Sequence, residues 1–97
     1  MLDLQADQLE VVRSILRAHL PNARAWAYGS RVQGRAKRYS DLDLAIRSTA
    51  ELGLEELFTL KDAFSESDLP IRVDVLDLHS VSPEFLAVIR DEFVPVV

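Results

Sequence analysis

Two aspartates one residue apart, Asp41 and Asp43, open an apolar segment of the chain. Side chains alternate along an extended strand, so both carboxylates are expected on the same face. A third aspartate, Asp74, lies between two valines in a later apolar segment. Carboxylate oxygens are the ligands that Mg²⁺ prefers in proteins. The three aspartates therefore predict a site for divalent cations. Asp74 is expected to act as a ligand, as the base for an attacking hydroxyl, or as both.

A turn that favours phosphate lies upstream of the aspartates. Gly29 and Ser30 close an apolar segment, and ten residues separate Ser30 from Asp41. Glycine lets the backbone approach a phosphate, and the Ser30 hydroxyl can donate one more hydrogen bond. Arg31 is expected to reach the β- or γ-phosphate. The turn and the carboxylates together favour nucleotidyl transfer. This reaction needs the reacting groups to be positioned and the phosphate charge to be neutralised, and two Mg²⁺ ions can do both.

The charge of the chain is unevenly distributed. Its formal net charge of −5 argues against general nucleic-acid binding, because such binding depends on neutralising phosphates. Four cations nevertheless lie within one stretch of eight residues: Arg31, Arg35, Lys37 and Arg38. Alone they would indicate a solvated basic loop. Between the Gly-Ser turn and Asp41 they favour a compact polyanion such as a triphosphate.

Length and composition indicate one domain over residues 1–97, with no repeat and no linker. The chain has no cysteine, which excludes a disulfide framework, a thiolate zinc site and a cysteine nucleophile. Its first residues lack the basic and apolar regions of a signal peptide, and no apolar run approaches the ~20 residues that span a bilayer. These features predict a cytoplasmic protein without a membrane segment.

The apolar pattern predicts an α/β domain in the order αβαβαβα. Helices are expected at 4–20, just after Ser30, at 52–64 and from Ser82 to Asp91, and strands at 24–28, 42–47 and 71–76. Asp3 is expected to cap the first helix, and Ser82 with Pro83 the last. The buried stripe of the helix at 52–64 is predicted to comprise Leu54, Leu57, Phe58 and Leu60.

Two further expectations concern the third strand and the end of the chain. Asp77 lies an odd number of residues from Asp74 and is expected to face away from the site. The apolar tail at 93–97 has two equally open roles, as a fourth strand or as a docking segment for a partner. The sheet is therefore expected to have three or four strands.

The residues of the site resemble a known family. Gly29-Ser30, ten intervening residues and Asp41-x-Asp43 resemble the signature of the DNA polymerase β-like nucleotidyltransferase superfamily. The stretch GSRVQGRAKRYSDLDLAI is similar to its minimal nucleotidyltransferase (MNT) branch, and with RVDVLDL the resemblance covers essentially the whole chain. It implies a small mixed sheet with flanking helices, a triphosphate held by the Gly-Ser turn, Mg²⁺ on Asp41 and Asp43, and Asp74 as the third carboxylate.

The resemblance also implies a function. Many small MNT proteins are antitoxins made beside an HEPN-domain ribonuclease toxin, and they transfer AMP from ATP to a tyrosine of that toxin. A phenol suits this reaction, because its pKa of about 10 makes it far easier to deprotonate than a serine hydroxyl. ATP, Mg²⁺ and an HEPN toxin are therefore expected as substrate, cofactor and partner.

Two other functions stay open at this point. One is a binding module that neutralises its toxin by covering it, with little or no catalysis; the three carboxylates argue against it. The other is nucleotidyl transfer to a small molecule, as in the related aminoglycoside nucleotidyltransferases. It ranks third, because 97 residues leave no room for the added helical domain of those enzymes.

Overall fold

The computed structural model describes residues 2–97, which form a four-stranded sheet with two long helices packed on one face. The helices are α1 (Ala6–His19), α2 (Leu54–Ser65) and α3 (Pro83–Ile89). The strands are β1 (Arg24–Tyr28), β2 (Leu42–Arg47), β3 (Val73–Asp77) and β4 (Val94–Pro95). Single 3₁₀ turns follow β3 at Leu78–Ser80 and α3 at Arg90–Glu92. The predicted α/β architecture is confirmed. The starts of α1, α2 and β3 lie two residues later than predicted, and α3 ends two residues earlier.

The sheet has the strand order β3-β2-β1-β4. Strands β2 and β3 are parallel and joined through α2, whereas β1 runs antiparallel to both β2 and β4. The register places Tyr28 opposite Asp43, and Asp43 opposite Asp74. The tail supplies β4, and Val96 N–H extends the pairing by donating to Ala25 O at 2.9 Å. Of the two roles left open for the tail, the fourth strand is the one observed.

The two faces of the sheet differ in composition. Leu42, Leu44 and Ile46 of β2 are almost fully buried against α1 and α2. The residues between them on the chain point to the other face, because side chains alternate along a strand. Asp43 therefore lies opposite the core, on a face that it shares with Tyr28 and Asp74. Asp77 lies on the core face and is buried, as expected.

The helix ends follow the sequence at α3 but not at α1. The Ser82 hydroxyl accepts a hydrogen bond from Phe85 N–H at 3.2 Å, with Pro83 in the first helical position. The first helix begins later than predicted, with Gln5 rather than Asp3 as its N-cap. Asp3 instead donates its backbone N–H to Arg31 O at 2.7 Å, which ties the segment before α1 to the site region. Of the helices within residues 2–97, none combines the length and apolar character needed to cross a membrane.

The buried stripe of α2 differs from the prediction. Leu60 is buried and Leu57 packs beside the core, as predicted, with Phe64 completing the stripe. Leu54 and Phe58 are 87% and 72% exposed. Successive helical residues are rotated by about 100°, so these two lie on a different side of the helix from the other three. The prediction was therefore wrong for Leu54 and Phe58.

The segment after Ser30 forms turns rather than the predicted short helix. Val32 and Gln33 both donate their backbone N–H groups to Gly29 O, at 3.0 and 3.1 Å. The helical pattern then stops at Gly34, whose φ of +74° is left-handed. Glycine adopts that conformation readily, whereas continuation of a right-handed helix requires negative φ.

Candidate active site

A row of polar side chains crosses three strands on the open face of the sheet. Asp43 of β2 lies directly between Tyr28 of β1 and Asp74 of β3. Neighbouring strands are about 4.8 Å apart, so side chains in register on one face are close neighbours. Asp41 immediately precedes β2 and is exposed at the end of the row. The structure thus brings the three predicted carboxylates to one end of the sheet.

Partial burial and electrostatic repulsion both act on this row. The pKa of Asp43 is raised by partial burial and then by the negative charges of Asp74, Asp41 and Glu92. In the described part of the chain, no hydrogen bond offsets these effects. The pKa of Tyr28 rises to about 12, mainly through burial and then through Asp43, Asp74 and Glu92. Crowded carboxylates without a positive partner are an arrangement that a bound cation stabilises.

Gly29 lies where only a glycine fits. Its φ is +81°, a left-handed conformation that other residues rarely adopt. A Cβ atom there would also overlap Oδ2 of Asp43. The missing side chain therefore allows the turn of Gly29 and Ser30 to lie directly against the carboxylate row. The predicted turn and the predicted aspartates are thus in contact.

The position of the Arg31 side chain differs from the one predicted. Its side chain is buried, with only 6% of its surface exposed. The guanidinium group donates hydrogen bonds to backbone carbonyls of Ser40 at 2.9 Å, Asp3 at 2.8 Å and Arg38 at 3.1 Å, with a longer one to Lys37 at 3.4 Å. These donors hold the loop that leads into Asp41 and are not free for a ligand. The prediction that Arg31 contacts a phosphate does not fit this placement.

The other three cations of the basic segment remain in solvent. Arg35, Lys37 and Arg38 are exposed, and within residues 2–97 none of them pairs with a carboxylate. The Arg38 guanidinium lies 5.3 Å from the centre of the Tyr39 ring. Three cations of the basic segment therefore face solvent, whereas Arg31 is buried inside the loop.

Glu92 and Tyr28 belong to the site although the sequence did not single them out as site residues. Glu92 lies in the 3₁₀ turn after α3, and its Oε1 accepts a hydrogen bond from Gly29 N–H at 2.8 Å. These two residues are 63 positions apart and meet only because β4 pairs with β1. No local pattern marks such a glutamate. Tyr28 carried a signal, since it directly precedes Gly29 on an alternating strand, but its type suggested packing.

Comparison with known proteins decides the family. Residues 10–94 match the family model described as Polymerase beta, Nucleotidyltransferase. This chain belongs to that family. The match covers nearly the whole domain and includes every site residue that the sequence predicted. The resemblance read from the Gly-Ser and Asp-x-Asp residues is therefore confirmed.

Individual relatives agree with this assignment. A Haemophilus influenzae protein named probable protein adenylyltransferase MntA is 50% identical over 93 residues, which cover 96% of this chain and 82% of the relative. A solved toxin–antitoxin structure with AMP-PNP aligns with a TM-score of 0.75 and 24% identity, covering 92% of this chain and 72% of that one. The solved complex of a tri-AMPylated Shewanella oneidensis HEPN toxin with an MNT antitoxin aligns with a TM-score of 0.75 and 20% identity. The alignment covers 97% of this chain and 72% of that one. The two solved structures share the fold, which confirms the predicted fold class.

The carboxylates of this nucleotidyltransferase are the kind of ligand that Mg²⁺ binds, but they do not form a complete coordination site. Within residues 2–97, no three carboxylate or histidine side chains are arranged closely enough to hold a metal. Asp43 and Asp74 nevertheless supply only oxygen ligands and repel each other. Mg²⁺ is usually held by one or two carboxylates together with water and substrate phosphates. The donor set fits that mode of binding, in which the nucleotide completes the site.

Proposed function

We propose that this nucleotidyltransferase transfers AMP from ATP to a tyrosine hydroxyl of a partner HEPN-domain toxin, with Mg²⁺, and so neutralises the toxin. The observation that carries the proposal is the row of Asp43 and Asp74 with the Gly29 turn packed against it. The name of the 50% identical relative, a probable protein adenylyltransferase, supports the reaction. The solved complexes with AMP-PNP and with a tri-AMPylated HEPN toxin support the nucleotide and the acceptor protein.

The site residues have distinct roles in this proposal. Asp41 and Asp43 bind Mg²⁺, two ions in the full complex, and Asp74 completes the ligand set or takes the acceptor proton. The Gly29-Ser30 turn holds the β- and γ-phosphates through backbone N–H groups and the Ser30 hydroxyl. When bound, Mg²⁺ neutralises phosphate charge and makes an acceptor hydroxyl easier to deprotonate.

The reaction balances as a single displacement. The tyrosine oxygen bonds to the α-phosphorus of ATP, the bond between the α-phosphorus and the bridging oxygen breaks, and pyrophosphate leaves. The hydroxyl proton passes to a carboxylate of the row, for which Asp74 is our candidate. The modified toxin then carries a bulky anion on its tyrosine. We place the reaction in the cytoplasm, where ATP and Mg²⁺ are available.

The test is the intact mass of the proposed HEPN-domain partner after incubation with this protein, ATP and Mg²⁺. We expect a shift of one or more AMP units, lost with Asp41→Asn plus Asp43→Asn. Asp77→Asn is the matched control, because it removes an aspartate from the opposite face of β3. A tight complex that blocks the ribonuclease without any mass shift would instead indicate a steric binding module. Absence of both binding and shift would favour a small-molecule acceptor.

A further inference from the structure

The C-terminal segment of the chain reaches the turn that the proposed function assigns to phosphate. In the antiparallel pairing of β1 and β4, Trp26 lies opposite Pro95 and Ala27 lies opposite Val94. Continued by two residues, this register places Glu92 opposite Gly29. Strand β4 begins only at Val94, and Oε1 of Glu92 takes the place of a backbone acceptor for Gly29 N–H at 2.8 Å.

The segment around Glu92 is fixed to the sheet by contacts on its C-terminal side. The Phe93 ring stacks on Trp26, with ring centres 5.5 Å apart and planes 15° apart, and tilts against Tyr28 at 6.3 Å. Farther along, Arg13 Nε of α1 donates a hydrogen bond to Val96 O at 2.9 Å. Glu92 therefore approaches Gly29 from a rigid support. Its bond to the turn is part of the packed structure, unlike the contacts of a mobile surface glutamate.

The position of this hydrogen bond is what gives it a consequence for the site. Gly29 has a left-handed φ of +81°, and glycine loses more conformational freedom on ordering than any other residue. A hydrogen bond from its amide to a carboxylate is charge-assisted and stronger than a neutral one. It fixes the backbone one residue before Ser30. The bond therefore limits the conformations of a turn whose glycine would otherwise be free to move.

We propose that Glu92 is a positioning residue of the nucleotide site, whose carboxylate holds the Gly29-Ser30 turn in the conformation that receives the triphosphate. This role rests on the proposed function, because that function makes the turn a phosphate site. Glu92 acts through Gly29 and touches no reacting atom. Its loss should therefore weaken nucleotide binding in the ground state and transition state alike, raising KM for ATP while leaving kcat nearly unchanged.

Two substitutions separate the reach of Glu92 from its charge. Glu92→Gln keeps the length and an acceptor oxygen but removes the charge, whereas Glu92→Asp keeps the charge and shortens the side chain by one methylene. Asp91→Asn is the control, because Asp91 is exposed in the same 3₁₀ turn. The measurement is the Kd for Mg·ATP by titration calorimetry without any partner protein, with the Tm of each variant as a check on folding.

We expect Glu92→Asp to weaken Mg·ATP binding roughly tenfold and Glu92→Gln to weaken it less, because the amide oxygen can still accept a neutral hydrogen bond. The control Asp91→Asn should stay within about threefold of the wild type. An unchanged Kd for Glu92→Asp, with or without a lower Tm, would show a purely structural contact and overturn the proposal. So would an Asp91→Asn variant as weak as Glu92→Asp, because the loss would then not depend on the hydrogen bond to Gly29. Wild-type protein that binds Mg·ATP but never modifies a partner would refute the proposed function and leave this test intact.

Discussion

Asp43 and Asp77 are both strand aspartates with reduced exposure, yet the two faces of the sheet treat them in opposite ways. Asp77 lies on the core face and is 7% exposed, and its two carboxylate oxygens accept hydrogen bonds from Leu52 N–H at 2.8 Å and His79 N–H at 2.9 Å. Asp43 lies on the open face, where partial burial and then the neighbouring carboxylates raise its pKa. Asp77 links the segment before α2 to the turn after β3, whereas Asp43 lies among like charges.

This difference indicates that the two faces of the sheet have different roles. The core face holds the aliphatic side chains of β2 and the satisfied carboxylate, which contribute to folding stability. The open face carries neighbouring like charges, which lower the stability of the fold. Such unfavourable arrangements are expected at functional sites. The sheet therefore lets the core stabilise an arrangement of Asp43 and Asp74 that is unfavourable on its own.

The largest expected contrast between the two aspartates is in catalysis. Asp43→Asn should lower kcat/KM for AMP transfer roughly a thousandfold, because it removes a proposed metal ligand whose contribution is several kcal/mol. Asp77→Asn should stay within about threefold of the wild type at temperatures where the variant is folded. The measurement is the rate of AMP incorporation into the partner. Equal losses in the two variants would contradict the division between the faces.

Arg31 extends the comparison to a buried cation that is fully engaged. Arg31→Lys should lower the free energy of unfolding by about 3 kcal/mol, because an ammonium group cannot reach carbonyls as far apart as those of Asp3 and Ser40. Denaturant unfolding measures this loss. If Arg31 instead bound a phosphate, the variant would keep its stability and lose affinity for Mg·ATP. That result would restore the role predicted from the sequence.

The buried carboxylate of Asp77 allows the same kind of stability test as the buried guanidinium of Arg31. Asp77→Ala should lower the free energy of unfolding by about 2 kcal/mol, since it leaves two backbone N–H groups without their acceptor. Asp77→Asn should lose less, because one amide oxygen can still accept one of the two bonds. Urea denaturation of the three proteins would order them. An alanine variant as stable as the wild type would show that water replaces the carboxylate.

The extent to which the sequence predicted this molecule follows from the range of the interactions involved. Strands β1 and β2 were predicted at their observed bounds, because alternation and the Gly29 turn are local signals. Asp43 and Asp74 were found for the same reason, each by its place within a strand. The family resemblance supported the same assignment, since its motif is also contiguous in the chain.

The differences at Arg31 and Glu92 arise from long-range contact. Arg31 has the residue type of a phosphate ligand, but carbonyls from the N-terminal segment and the loop before Asp41 surround its guanidinium group. Glu92 meets Gly29 only through the pairing of β1 with β4. Phe58 is apolar and helical, yet the packing of α2 leaves it exposed. Asp3 for Arg31 and Gly29 for Glu92 are distant in the chain, so composition and spacing carry no signal for these contacts. The exposure of Phe58 instead follows from its position around the helix axis.

The smallest expected effect is a gain in folding stability, whereas most substitutions lower stability. In metal-free protein at neutral pH, Asp43→Asn should raise the free energy of unfolding by about 1 kcal/mol, or Tm by about 4–8 °C, once solvent screening is allowed for. The variant removes a charge that Asp74, Asp41 and Glu92 repel. Mg·ATP should then raise the Tm of the wild type and not that of the variant, because only the wild type binds it. Thermal scans with EDTA and with Mg·ATP give both comparisons, and a lower Tm for the metal-free variant, like that of Asp77→Ala, would mean that Asp43 stabilises the fold after all.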